Sequence, residues 1–89
     1  MYKIIYTESY AKKAKKFAAK YPEVLPQYKK TSQLLEINPL HPSLRLHMLK
    51  GKHENYFSVS INLTYRITLD FLIREKKIFP IDVGTHEEV

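Results

Sequence analysis

At 89 residues, with a 44% hydrophobic fraction and no low-complexity tract, the chain reads as a single domain, residues 1–89, with one core. That excludes a disordered chain, and the absence of cysteine excludes a disulfide framework or a thiolate metal site. The formal charge of +6 is uneven: residues 1–52 carry eleven Lys/Arg against Glu8, Glu23 and Glu36, whereas residues 53–89 carry four against six acids.

The opening Tyr2 to Tyr6 is β-branched and aromatic, which predicts a short strand. Thr7 is a helix cap, with Glu8 in the first turn where the helix dipole favours an anion. Tyr10, Ala14, Phe17, Ala18 and Tyr21 then recur at helical spacing, with Lys12, Lys13, Lys15, Lys16 and Lys20 mainly on the other face. Pro22 ends this helix near Tyr21. A second helix starts between Pro22 and Pro26, turns Leu25, Tyr28, Ser32 and Leu35 inward, and stops at Asn38-Pro39. The two form an antiparallel hairpin, each too short to persist without packing.

Pro39 to Ser43 is a loop. Four strands are predicted after it, over Arg45–Leu49, Tyr56–Ile61, Tyr65–Ile73 and Lys77–Val83, with turns at Gly51–Asn55, Asn62–Thr64 and Arg74–Lys76. Short links imply an antiparallel meander. The opening strand is free to join at either edge or in the middle. The fold class is α+β: a two-helix hairpin on one face of a twisted, mainly antiparallel sheet of four to five strands. The segment Met1-Tyr6 is too short for a signal-peptide apolar region, and no apolar run approaches the ~18 residues of a membrane span. The expectation is a soluble cytoplasmic protein with no membrane partner.

Three side chains carry the chemistry. His47 is a capable acid or base in a strand. Arg66, alternating with Ile67, is placed on the face away from the helices, where it can grip a phosphate with two hydrogen bonds. His86 follows Gly84-Thr85 at the end of the last strand. An acid, a base and a cation suffice to cut RNA, because the ribose 2′-OH is the nucleophile. The histidines show no H-x-x-x-H or H-x-H spacing, so neither a metal nor a cofactor is expected. Twelve of the fifteen cations are Lys, which suits diffuse phosphate contact more than base reading. Lys12, Lys13, Lys16, Lys20, Lys29 and Lys30 are expected on an outward surface that meets RNA.

The ordered set Tyr2-Lys-Ile-Ile-Tyr6, Asn38-Pro39, Leu46-His47-x-Leu49-x-Gly51, Tyr56-Phe-Ser-Val-Ser-Ile61, Tyr65-Arg66-Ile67 and Asp82-Val-Gly-Thr-His86 resembles the RelE/ParE superfamily of type II toxin-antitoxin toxins, particularly its YafQ-like mRNA interferase branch. The resemblance spans nearly the whole chain. It implies a RelE-like, microbial-ribonuclease-like fold and an endoribonuclease that cuts mRNA on the 70S ribosome, beside its rRNA. It also implies a cognate antitoxin as partner. Carried over, His47, Arg66 and His86 are the catalytic positions, and Tyr65 falls where some relatives are aromatic; beside them, Lys50 and Lys52 are expected to help bind the substrate, as are Lys12, Lys13 and Lys16 of the basic front half. Ser60 and Thr64 stand where the YafQ branch can carry a His and an Asp, so that part of its constellation is missing. The alternatives are a ParE-like DNA gyrase inhibitor without nuclease chemistry, or a degenerate antitoxin-binding module. Paired histidines favour RNA cleavage, because the ParE branch lacks them.

Overall fold

The computed structural model describes residues 1–49, 56–72 and 74–85. Its elements in chain order are β1 (Lys3–Ile4), α1 (Glu8–Lys20), α2 (Leu25–Ile37), β2 (His47–Met48), β3 (Phe57–Ser60), β4 (Tyr65–Leu72) and β5 (Lys77–Thr85). Short 3₁₀ turns over Pro22–Val24 and Pro42–Leu44 precede α2 and β2. The strand order is β1-β5-β4-β3-β2. β1 runs parallel to β5, and every other pairing is antiparallel. The expected α+β class is therefore the observed one, and the opening strand takes the edge.

Local chemistry explains the helix ends. The Tyr10 N–H donates to Thr7 Oγ1 at 3.1 Å, meeting one of the amides that a helix start leaves without a partner. Lys20 sits in the last turn of α1, where the dipole favours a cation. At the end of α2 the Asn38 N–H donates to the Leu34 carbonyl, and Pro39 prevents a further turn. The β3–β4 turn is held by Asn62. Its Oδ1 accepts from the Thr64 and Tyr65 N–H groups at 2.8 and 2.9 Å, and its Nδ2 donates to Gln27 Oε1 on α2.

The core lies between the helices and one sheet face. Tyr10, Phe17 and Leu35 pack there with Val59, Ile67, Leu69, Ile78 and Val83. On α2, Thr31 is buried with Leu35, whereas Leu25, Tyr28 and Ser32 are half-buried, so the inward stripe is centred one residue from the expected one. The Tyr10 and Tyr28 hydroxyls bond at 2.7 Å and tie the two helices together. Burial is the main cause that raises both phenol pKa values above their ordinary value.

Several strands differ in length from expectation, with β1 cut to Lys3–Ile4 and β3 to Phe57–Ser60. β2 is confined to His47–Met48 because Arg45 closes the preceding 3₁₀ turn in the left-handed region, at φ 50° and ψ 45°. A residue in that conformation cannot continue a strand. β5 runs on to Thr85, since Gly84 and Thr85 pair with Arg66 and Tyr65. β5 also carries a bulge: Thr68 faces Asp82 while Leu69 faces Pro80, leaving Ile81 as the extra residue. The expected Gly51–Asn55 turn lies outside the described residues. No described helix is long and apolar enough to cross a membrane.

Candidate active site

The sheet register decides which side chains share a face. His47 pairs with Ser58, Ser58 with Thr68, and Ser60 with Arg66. Directly opposed residues project from the same face. His47, Ser58, Ser60, Arg66 and Thr68 therefore rise from the face opposite the core residues Val59, Ile67 and Leu69. One strand and a two-residue offset separate His47 from Arg66, which puts their backbones about 12 Å apart. Side chains rising from that spacing can reach one phosphodiester.

Between these two long side chains lie short ones. Ser58 and Thr68 are buried, and their hydroxyls have no hydrogen-bond partner among the described residues. They occupy the middle of the ladder between His47 and Arg66. The centre of this face is therefore closed to water. Sequence reading passed over this pair, although the small polar residues alternating with Val59 and Ile67 were the available signal.

His47 is exposed, and its Nδ1 lies 2.9 Å from the Arg45 carbonyl oxygen. A carbonyl only accepts, so that bond requires the hydrogen on Nδ1. In the neutral ring the basic lone pair is then on Nε2. The left-handed Arg45 that shortens β2 thereby also orients the histidine. Arg66 is half-buried with its Nε inside the surface, and burial lowers its pKa from the ordinary arginine value. It remains a guanidinium, poorly hydrated and therefore receptive to an anion.

His86, Lys50 and Lys52 lie outside the described residues. Thr85 pairs with Tyr65, beside the Arg66–Gly84 pair. Tyr65 is turned to the helix side, its ring centroid 4.7 Å from that of Tyr21 and 5.4 Å from that of Phe17. It does not join the His47–Arg66 face. Lys12, Lys13 and Lys16 are exposed on α1, and Lys12 makes a 3.7 Å ion pair with Glu8 that solvent screens. Lys20, Lys29 and Lys30 are also exposed. Ser60 stands opposite Arg66, and Thr64 is in the exposed β3–β4 turn. His41 bonds Ser43 Oγ through Nδ1 at 2.8 Å, which gives it a local turn-forming role. Among the described residues no group of three His, Asp or Glu side chains could hold a metal ion.

No protein-family model matches the chain, and neither does any curated protein. Solved structures do match it. YafQ from E. coli strain BL21(DE3) is 20% identical with a TM-score of 0.77, over 99% of this chain and 97% of that one. The YafQ chain of the E. coli DinJ-YafQ toxin-antitoxin complex is 22% identical with a TM-score of 0.76, over 99% and 96%. A YoeB/ParE toxin from Agrobacterium tumefaciens is 16% identical with a TM-score of 0.71, over 94% and 98%. The architecture described above, from the edge strand β1 to the long β5, is the fold of the RelE/YafQ-like toxins.

Proposed function

We propose that this chain is the toxin of a type II toxin-antitoxin system and a metal-independent endoribonuclease that cuts mRNA at the ribosome. The observation that carries the reading is the cross-strand ladder that sets His47 and Arg66 on one face, with one strand between them. An exposed histidine whose Nδ1 is tied to a backbone carbonyl is equipped to act as a base through Nε2.

In this mechanism neutral His47 takes the proton from the ribose 2′-OH. The oxygen attacks phosphorus, and Arg66 stabilises the growing charge with help from Lys50 and Lys52. Protonated His86 donates to the leaving 5′-oxygen. The products are a 2′,3′-cyclic phosphate and a 5′-OH. The lysine-rich outer sides of α1 and α2 are the surface offered to RNA. The DinJ-YafQ complex is the precedent for a protein antitoxin as the second partner.

The test is induction in cells, with translation, mRNA ends and plasmid supercoiling followed together. Rapid translational arrest with mRNA cut to 5′-OH ends is expected. Loss of supercoiling with intact mRNA would replace this reading by gyrase inhibition. Absence of any growth effect would leave only antitoxin binding.

A further inference from the structure

Lys13, Lys16 and Lys20 recur along α1 at spacings of three and four, which puts them on one face. Between that face and the end of β5 is a cavity of about 180 Å³, lined by the three lysines with Tyr21, Asp82 and Gly84 among others. The sheet explains why space exists there. β1 pairs only with Lys77 and Ile78, so the rest of β5 has no described strand on that side. Side chains meet the edge instead: Lys13 Nζ donates to the Ile81 carbonyl at 3.4 Å, and the Val83 N–H donates to Asp82 Oδ1 at 2.9 Å.

The charge of the cavity is positive. Three ammonium groups face one carboxylate, and the ion pairs seen among the described residues, Lys12–Glu8 and Lys77–Glu75, neutralise neither Lys13 nor Lys16. Lys20 Nζ lies 5.3 Å from the Tyr21 ring centroid, so the wall is aromatic as well as cationic. The cavity also adjoins the candidate active site. Gly84, which lines it, is the cross-strand partner of Arg66, one strand spacing of about 5 Å away.

We propose that this cavity is a subsite for the RNA backbone, taking the phosphodiester next to the one held at Arg66. Lys13 and Lys16 meet its oxygens, and the ribose lies against Tyr21. The lysine ammonium is a compact charge on a flexible stem, suited to a phosphate whose sequence context varies. Asp82 limits the site to a single phosphate by repelling a second. The choice of an RNA strand as occupant rests on the ribonuclease reading.

The test uses the full chain and a single-stranded oligonucleotide of 2′-O-methyl riboses, which lacks the nucleophile and cannot be cut. Affinity is measured by fluorescence anisotropy across a range of salt. The Lys13→Gln, Lys16→Gln double variant is expected to bind at least about fivefold more weakly, with a log–log salt slope smaller by about 0.7, since one phosphate is no longer neutralised. Lys3→Gln with Arg74→Gln removes the same charge from exposed positions on β1 and the turn before β5, outside the cavity, and is expected to change affinity by less than about twofold. Asp82→Asn retains an acceptor for the Val83 N–H and is expected to tighten binding. Equal losses in the two double variants would overturn the subsite and reduce the lysines to a diffuse basic surface. Failure of the wild-type chain to bind the oligonucleotide would overturn it too, as would preferential capture of an acidic peptide by the same lysines. These outcomes are independent of cleavage: a chain that binds in this manner but cuts no RNA fails the ribonuclease reading and keeps the subsite.

Discussion

Arg66 stands directly opposite Gly84 in the β4–β5 ladder, so no β5 side chain rises beside its guanidinium at that position. The consequence is steric. Gly84→Val would fill the flank of Arg66 with a branched side chain, although valine itself suits a strand. Cleavage is expected to fall by about 10²-fold, the order seen when a reacting group is displaced by about an ångström. Gly84 is buried, so the melting temperature should fall as well, and cleavage is read per folded protein. Single-turnover cleavage beside a thermal melt checks both, and full activity in the variant would show that substrate does not approach along that flank.

The catalytic assignments carry their own magnitudes. Arg66→Ala is expected to reduce cleavage by about 10²- to 10³-fold as the loss of one transition-state donor. His47→Ala and His86→Ala should each cost about 10²- to 10⁴-fold as the loss of a general base or acid. His47 is exposed and outside the core, so its removal should leave stability unchanged. Growth arrest by all three variants at the wild-type dose would locate the activity elsewhere.

Alkaline stability tests the Tyr10–Tyr28 bridge. Burial raises the Tyr10 pKa, so the folded chain holds that proton more tightly than the unfolded one. The associated stability is fully present below the ordinary tyrosine value of 10.0 and is lost as pH rises beyond it. Tyr10→Phe should cost about 1 kcal/mol at neutral pH for the missing hydrogen bond. Above pH ~10 its stability should decline less steeply than that of the wild type. Urea midpoints on both sides of that pH decide the matter, and parallel declines would disprove the link.

The core offers a control for all activity measurements. Leu35 is 1% exposed on α2 and belongs to the cluster with Phe17 and Leu69. Leu35→Ala should destabilise the fold by about 2–5 kcal/mol through the cavity it leaves. Cleavage by the fraction still folded should match the wild type, as read by activity normalised to folded protein.

Much of this protein was determined by sequence alone, where the physics is local. The Thr7 cap, the helix-ending Pro22 and Asn38-Pro39, and the alternation around Ile67 and Leu69 depend on near neighbours, and each is found as expected. The placement of Arg66 on the face away from the helices follows from the same alternation. Tertiary structure decided the rest, because those outcomes depend on residues distant in the chain. The parallel pairing of β1 with β5 needs a partner more than seventy residues away. The short β2 follows from the left-handed turn at Arg45, a conformation that the residue type at that position does not signal. Tyr65 shares the helix-facing parity of Ile67, and only the packed helices supply the partners Phe17 and Tyr21 that hold its ring there. The lysine-lined cavity exists because β1 ends early and α1 lies beside the uncovered part of β5, a juxtaposition that no spacing along the chain encodes.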